Sequence, residues 1–454
     1  MISRLSLVGE KNMEYERLKF PENFLWGSAA AAHQTEGGNR NSWTEWESKP
    51  GTIKDGSTSE VACDHYNRYK EDFDLAKELG HEVHRFSIEW SRIEPKEGKW
   101  DDSEIEHYRN VIQALLDREI QPMVTLHHFT NPIWFSEDDG WLNPSSPDRF
   151  GRFVRKVVEP FTDYGIIWNT INEPMVVVTM GYLFGDFPPG LQDYGKALTA
   201  AKNLLKAHGQ AATAIREVYD EKGMEQPDIA PVLSTSYFEP YDPNNEEDVE
   251  LAEYLDYLYN HAWLEGVMTS TIPEIMGEEK TYKPLEDSAD FIGVNYYSRM
   301  RVSSSLDFMA GEMPPKDPDL PRCEGLEWEF YPEGYYPILK AIWDNWKTPI
   351  FLTENGIGTQ DDSLRRRYIV AHLRQVHKAI RDGVEILGYL VWSLTDNFEW
   401  AEGYESHFGL VEVDYETQER IPRESAYMFR EIIQENALTS EIQAKHLDSG
   451  INSS

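Results

Sequence analysis

Residues 121–129 read QPMVTLHHF, a short apolar run that breaks off at two histidines. The same pattern recurs seven more times along the chain. Upstream lie FLWGSAAA (24–31) and EVHRFSIEW (82–90), and downstream YGIIWNTINEP (164–174), DIAPVLSTSY (228–237) and ADFIGVNYY (289–297). TPIFLTENG (348–356) and ILGYLVWSL (386–394) complete the set. Short apolar runs of this kind are strand-like. Between them stand amphipathic stretches with a helical period, such as YKEDFDLAKELG (69–80), SEIEHYRNVIQALLDREI (103–120) and SLRRRYIVAHLRQVHKAIRDG (363–383). Gly80 and Gly383 fall where two of these helices must stop, because glycine takes the left-handed cap without a steric cost. No low-complexity segment and no Pro/Gly/Ser-rich linker divides the chain. Eight strands, each followed by a helix, predict an α/β fold: a single (β/α)8 TIM barrel with elaborated βα loops at its C-terminal face. The rival is a doubly wound sheet, which usually carries GxGxxG after its first strand, and GSAAAAHQTEGG (27–38) does not match that pattern. The expected division is an N-terminal tail over 1–16, the barrel over 17–436 and a polar C-terminal tail over 437–454.

The chain has 454 residues, 40% of them hydrophobic and 13% aromatic, enough for a large core and too many for a disordered chain. Its 80 Asp+Glu against 43 Lys+Arg leave a net charge of −37. Such a surface repels nucleic acid and anionic bilayers alike, which excludes two classes of partner. No stretch approaches the ~18 consecutive apolar residues of a spanning helix. The opening MISRLSLVGEKNMEYERLKF lacks the apolar segment of a secretory signal, so a cytoplasmic protein is expected. Cys63 and Cys323 are isolated, too few for a disulfide framework or a thiolate metal site, and neither metal nor cofactor is expected. A homo-oligomer stays open. The acidity has two readings: ordinary solubility, or a salt-rich interior in which carboxylates are screened at a Debye length of ~3 Å in 1 M salt. The modest count of 20 lysines suits the second. Fourteen Trp and 24 Tyr are core material first, although flat sugar faces also stack on such rings.

A barrel places catalytic side chains at the C-terminal ends of its strands. The first run leads to His33, Gln34, Thr35 and Glu36, and the second contains Arg85. The third ends in His127 and His128, the fourth in Asn172 and Glu173, the sixth in Asn295, Tyr296 and Tyr297. The seventh ends in Glu354 and Asn355, and the eighth in Trp392, followed by Asn397, Phe398, Glu399 and Trp400. One polar strand end means little, since strand ends are wet. Seven of eight do not arise from that cause alone.

At these residues the sequence resembles glycoside hydrolase family 1, the retaining β-glucosidases and β-galactosidases. The matching pieces are FLWGSAAAAHQTEG (24–37), HRFSIEWSRIEP (84–95), TINEP (170–174), GVNYYSR (293–299), FLTENG (351–356), VWSLTDNFEWAEGY (391–404) and HFGLVEVDY (407–415). They extend over about residues 17–436. The resemblance implies Glu173 as general acid/base and Glu354, 181 positions later, as nucleophile. Cleaving a glycosidic bond needs a proton on the leaving oxygen and stabilisation of an oxocarbenium-like centre. Retaining enzymes supply both from carboxyls ~5–5.5 Å apart, one of which forms a covalent glycosyl-enzyme. Arg85 and the Tyr297 hydroxyl are expected to keep Glu354 ionised, and the charge of Glu354 to raise the pKa of Glu173. By the same resemblance Gln34 and Glu399, helped by His128 and Trp400, grip the distal hydroxyls of the non-reducing sugar. Asn172 meets the 2-hydroxyl, Asn295 and Tyr297 line the floor beside the nucleophile, and Trp392 stacks under the ring. His33, Glu36 and His127 are expected to be supports.

Two positions depart from the family's commoner pattern. Phe129 follows the third-strand histidine and Met175 follows Asn-Glu-Pro, where Trp is usual, so leaving-group preference is open. Met175, FPPG (187–190) and TENGIGTQDD (353–362) resemble the archaeal branch, and several shortened loops suggest an open cleft. The branch acting on 6-phosphoglycosides carries Ser, Lys and Tyr around the eighth-strand loop, where this chain has Glu399, Ser406 and Phe408. A carboxylate facing a phosphate is repulsive by ~4 kcal/mol at close range and an effective dielectric near 20. A neutral sugar is expected, most simply a terminal β-D-glucoside and also β-D-galactosides or fucosides. A transglycosidase, a 6-phospho-β-glycosidase and a non-catalytic sugar-binding relative are the alternatives.

Overall fold

Each of the eight apolar runs is a strand in the computed structural model, which describes residues 15–277, 280–307 and 311–447. In chain order they are β1 (Leu25–Ala29), β2 (Val83–Ser87), β3 (Gln121–His127), β4 (Ile167–Asn172), β5 (Ile229–Pro240), β6 (Ile292–Val302), β7 (Ile350–Asn355) and β8 (Ile386–Trp392). Each pairs in parallel with the next, and β8 pairs with β1, Gly388 opposite Leu25 through Trp392 opposite Ala29, so the sheet closes. Closure brings backbones unusually near one another. A Cβ on Gly27 would overlap the Val83 carbonyl, and one on Gly388 the Leu25 carbonyl, so only glycine fits at either place.

Parallel neighbours require crossovers, and helices supply them. They include α1 (His65–Glu78), α2 (Asp102–Leu116), α3 (Ser146–Val158), α4 (Tyr194–Lys222), α5 (Glu246–Asp256), α6 (Ala262–Thr269), α7 (Tyr335–Trp346), α8 (Asp362–Arg381) and α9 (Glu424–Glu435). Gly80 (φ +80°) and Gly383 (φ +89°) stand just beyond α1 and α8 in the left-handed region, as expected. The apolar stripe of each helix packs on the outside of the barrel. Ile105, Tyr108, Val111, Ile112 and Leu115 on α2 are all buried, at the i, i+3, i+4, i+7 spacing of one helix face. Six of the fourteen tryptophans (Trp26, Trp43, Trp90, Trp141, Trp168 and Trp263) are fully buried in the core.

The expected C-terminal tail needs correction over residues 437–447. Ala437–Leu438 forms an antiparallel pair with Leu18–Lys19, and Ser440–Leu447 is a helix packed on α8. Gln443 accepts from Arg374 Nη1 (2.9 Å) and donates to the Glu16 carbonyl (2.7 Å). The stretch reads as polar because it buries only one face, through Ile442, Gln443 and His446. The rest of both expected tails, 1–14 and 448–454, lies outside the described residues. No helix among the described residues is long and apolar enough to cross a membrane.

Two buried carboxylates each hold an arginine: Arg420 Nε donates to Asp72 at 2.8 Å, and Arg423 Nη2 to Asp396 at 2.7 Å. Most of the 80 carboxylates nevertheless lie at the surface, where pairs such as Lys77–Glu119 are solvated and contribute little. If the −37 reflects a salt-rich interior, screening of carboxylate repulsion raises Tm by several degrees between dilute buffer and 1 M KCl. A Tm flat or falling over that range, read by calorimetry, supports the solubility reading instead.

Candidate active site

The polar strand ends converge on one cavity of about 810 Å³ at the C-terminal mouth of the barrel. His128, Glu173, Tyr297, Glu354, Trp392, Glu399, Trp400 and Phe408 line it. Gln34, Arg85, Asn172 and Asn295 are completely buried and reach the lining carboxyls or His128 by hydrogen bonds. All twelve residues expected at the site are thus brought together.

Glu354 ends β7 with both oxygens occupied. Arg85 Nη1 from β2 donates to Oε1 at 2.5 Å, and the Tyr297 hydroxyl from β6 donates to Oε2 at 2.6 Å. Arg85 is itself fixed: Nη2 donates to Asn172 Oδ1 (2.6 Å), and Nε lies 3.1 Å from both Thr125 Oγ1 and Asn169 Oδ1. Three neighbouring strands therefore aim one guanidinium at one carboxylate. Glu173 follows β4 with φ +47°, a left-handed conformation rare for a side chain of this size, and Pro174 then opens the short helix Pro174–Val178. Its Oε1 accepts from Asn295 Nδ2 at 2.9 Å, and Thr353 Oγ1 donates to Asn295 Oδ1 at 2.7 Å, which fixes the amide's orientation.

Burial raises the pKa of both carboxyls, and their partners then separate them. At Glu354 the Arg85 charge and the Tyr297 and Arg85 hydrogen bonds oppose the rise. At Glu173 the negative charge of Glu354 adds to burial, with a neutral amide as the closest donor. The shared proton therefore resides on Glu173 and the charge on Glu354.

A second group gathers around Glu399. Gln34 Nε2 donates to Glu399 Oε2 (3.2 Å) and to Asn397 Oδ1 (3.0 Å). Burial, and next the charge of Glu354, push the Glu399 carboxyl up to about 8. His128 lies between two indoles, its ring 6.0 Å from both Trp392 and Trp400 at 23° and 17°. Asn172 Nδ2 faces its Nε2 at 3.2 Å, so Nε2 accepts and Nδ1 carries the proton. Burial, with Arg85 adding to it, holds the ring's pKa well below the usual histidine value, and it is neutral. Two buried atoms here, Gln34 Oε1 and His128 Nδ1, have no partner among the described residues. An acceptor and a donor left without partners in a buried site are suited to hydroxyl groups.

The supports are placed as expected. His33 stacks on Trp400 (5.6 Å, 10°), Glu36 accepts from Arg92 Nε (2.8 Å), and His127 faces Asn131 Oδ1 (3.1 Å). Sequence reasoning missed Thr125 and Asn169 behind Arg85, although each is a polar residue inside an apolar run, a signal in plain view. It also missed Ser234, Tyr259 and Trp328. The Tyr259 hydroxyl lies 3.1 Å from Ser234 Oγ, and Trp328 packs 4.9 Å from Tyr297. Ser234 gives the same signal inside DIAPVLSTSY, whereas a tyrosine in a helix gives none. No cluster of three or more His, Cys, Asp or Glu fit to hold a metal occurs among the described residues.

Comparison with known proteins agrees with this geometry. The family model of glycosyl hydrolase family 1 matches residues 16–438. The chain is 38% identical to beta-glucosidase A of Thermotoga maritima, over 92% of this chain and 99% of that protein. It is 37% identical to the 1,4-beta-D-glucan glucohydrolase of Thermotoga neapolitana, over 93% and 99%. The solved family 1 β-glucosidase of Thermotoga maritima superposes with a TM-score of 0.86 at 36% identity, covering 93% of this chain and all of that one. With the family's two glutamate motifs at the ends of β4 and β7 of a closed eight-stranded barrel, this chain belongs to glycosyl hydrolase family 1.

Proposed function

We propose that this protein is an O-glycoside hydrolase that removes terminal non-reducing β-D-glucosyl groups, and also β-D-galactosyl and fucosyl groups, with retention. The observation that carries the reading is the asymmetry of the two buried glutamates. Glu354 has a guanidinium and a phenol on its oxygens, and Glu173 has an amide. The first arrangement suits a nucleophile and the second a proton donor. Attack by Glu354 on the anomeric carbon expels the aglycone as Glu173 protonates the leaving oxygen. Once Glu354 is esterified its charge is gone, the pKa of Glu173 falls, and Glu173 takes the proton of the incoming water.

Around the reacting carbon, Asn172 binds the 2-hydroxyl, an interaction that strengthens as charge develops. Asn295 and Tyr297 form the floor beside the nucleophile, and Arg85 acts behind it. Trp392 stacks under the ring, with Phe408 closing that side. Gln34, Glu399, His128 and Trp400 hold the distal hydroxyls. Proton NMR of early product from a panel of aryl and disaccharide β-glycosides tests this. The β-anomer appears first, and an early α-anomer burst contradicts retention.

Glu399 decides the glycone. A carboxylate can accept from two adjacent hydroxyls at ~1.5–3 kcal/mol per charge-assisted bond. Glu399→Ser therefore lowers kcat/KM for the glucoside at least ~tenfold, the equivalent of ~1.4 kcal/mol. It also narrows the gap to the 6-phosphoglucoside by removing the repelling group. Because the carboxyl's pKa is raised to about 8, its charge is complete only above that pH. Discrimination against the 6-phosphate thus widens as pH rises through this value. Faster cleavage of the 6-phosphoglucoside than of the glucoside by the unmodified enzyme overturns this reading of the loop.

A further inference from the structure

The cavity continues well past the two glutamates. Beyond Ser234 and Tyr259 it runs between α4, the α5–α6 helix pair, the π-helical segment Thr179–Phe184 and the turn Glu274–Met276; α4 packs on α6, on that segment and on that turn. Its walls there are Met180, Leu183, Leu255, Leu258, Ile275 and Met276. Ala197 and Ala201 on α4 leave the space between them. None of these eight side chains carries a hydrogen-bonding group beyond a thioether.

Three independent features mark this chamber as a binding site. Two π-helical segments, Thr179–Phe184 and Tyr257–His261, both contribute to its lining, and π-turns inside helices concentrate at functional sites. Methionines supply a deformable apolar wall. Two exposed rings meet beside it: Tyr194, which lines the cavity, is 47% exposed, and Tyr254 on α5, whose hydroxyl reaches that of Tyr194, is 50% exposed.

Along these eight side chains a second sugar is a poor occupant, because its hydroxyls would lose water there without finding partners; the hydroxyls in the lining include those of Thr179, Tyr194, Ser234, Thr235, Ser236, Tyr259, Tyr297 and Ser298. From this, and resting on the β-glycosidase reading above, we propose that the chamber holds an extended apolar leaving group. The substrates it selects are β-glycosides of long-chain alcohols. The glycone lies at Glu399 and Gln34, the glycosidic oxygen at Glu173, and the chain runs between α4 and α5. Met175, on the acid/base side of the cavity, gives that chain an apolar entry where a flat indole would favour a ring.

The test is a homologous series of methyl, butyl and octyl β-D-glucosides at monomeric concentrations, with cellobiose and an aryl glucoside alongside. The alkyl leaving groups differ little in acidity, so a rise reports binding of the chain. kcat/KM rises at least ~tenfold from methyl to octyl, a fraction of what complete burial of each added methylene would give. Leu258→Asn, which adds polarity, and Ala197→Trp, which fills space, each cut the octyl-to-methyl ratio about tenfold and spare the ratio of aryl to methyl glucoside. A flat alkyl series, or cellobiose cleaved better than octyl glucoside, overturns the proposal while the glycosidase reading stands. Failure to cleave any glycoside, the aryl one included, overturns the glycosidase reading. The chamber is then judged by calorimetry on the same protein, where equal affinities for octyl and methyl glucoside overturn it.

Discussion

Glu354→Ala cleaves no β-glucoside at a useful rate, and azide restores turnover with the α-glycosyl azide as product. The expected loss is at least ~10⁴-fold in kcat, on the order of 5.5 kcal/mol of transition-state stabilisation. The reason is geometric. Arg85 and Tyr297 hold one carboxylate where it can displace the aglycone, and alanine leaves a space in its place. A small anion entering that space attacks from the same face, with Glu173 still able to protonate the leaving group. Direct displacement on a β-glycoside inverts the centre, so the azide must be α. Formation of the β-azide from this variant exchanges the two assignments. Unimpaired hydrolysis without azide removes Glu354 from the chemistry altogether.

Glu173→Ala has the second-largest expected effect, and the loss depends on the substrate. Alkyl glucosides and cellobiose, whose leaving alkoxides need a proton, lose ~10³-fold or more, at the strong end of general acid catalysis. A dinitrophenyl glucoside needs little protonation, so its glycosyl-enzyme still forms and accumulates as a burst, because water then lacks its general base. Equal losses for good and poor leaving groups sink the assignment. The pH profile gives an independent reading. Glu173 has its pKa raised by burial and by the charge of Glu354, and it acts in the protonated form. kcat/KM for a poor leaving group therefore falls as pH rises through that raised value. The alkaline limb disappears in Glu173→Ala. A limb that persists unchanged in the variant belongs to another group, and Glu399 is the first to test, since burial and the charge of Glu354 push its carboxyl up to about 8.

Much of this was legible from the sequence. Six of the eight strands fall within their apolar runs, and β5 and β6 begin in theirs and continue three and five residues beyond, because a strand buried in a closed sheet requires a local string of apolar residues, and local strings survive in one dimension. The polar residues that end those strings locate the site for the same reason. Closure converts eight separate strand ends into one mouth, so position along a strand becomes position around a cavity. Gly80 and Gly383 were readable because a left-handed cap is a property of one residue and its neighbours.

What remained hidden depends on partners distant in the chain. The C-terminal segment is held by Leu18–Lys19 and Arg374, and nothing in its own composition announces that. The order of the network behind Glu354 depends on register. Thr125 stands opposite Asn169, and Glu354 opposite Asn295, so a one-residue slip between strands would turn each side chain to the other face. The apolar chamber between α4 and α5 follows from how two helices pack on a barrel, and Met180, Leu258 and Met276 read as ordinary core in sequence. The sequence by itself determined which side chains gather at the mouth, because strand ends are local. Only the tertiary structure decided which glutamate receives the guanidinium and how far the cavity extends beyond the sugar, because both are set by packing between elements that local sequence does not encode.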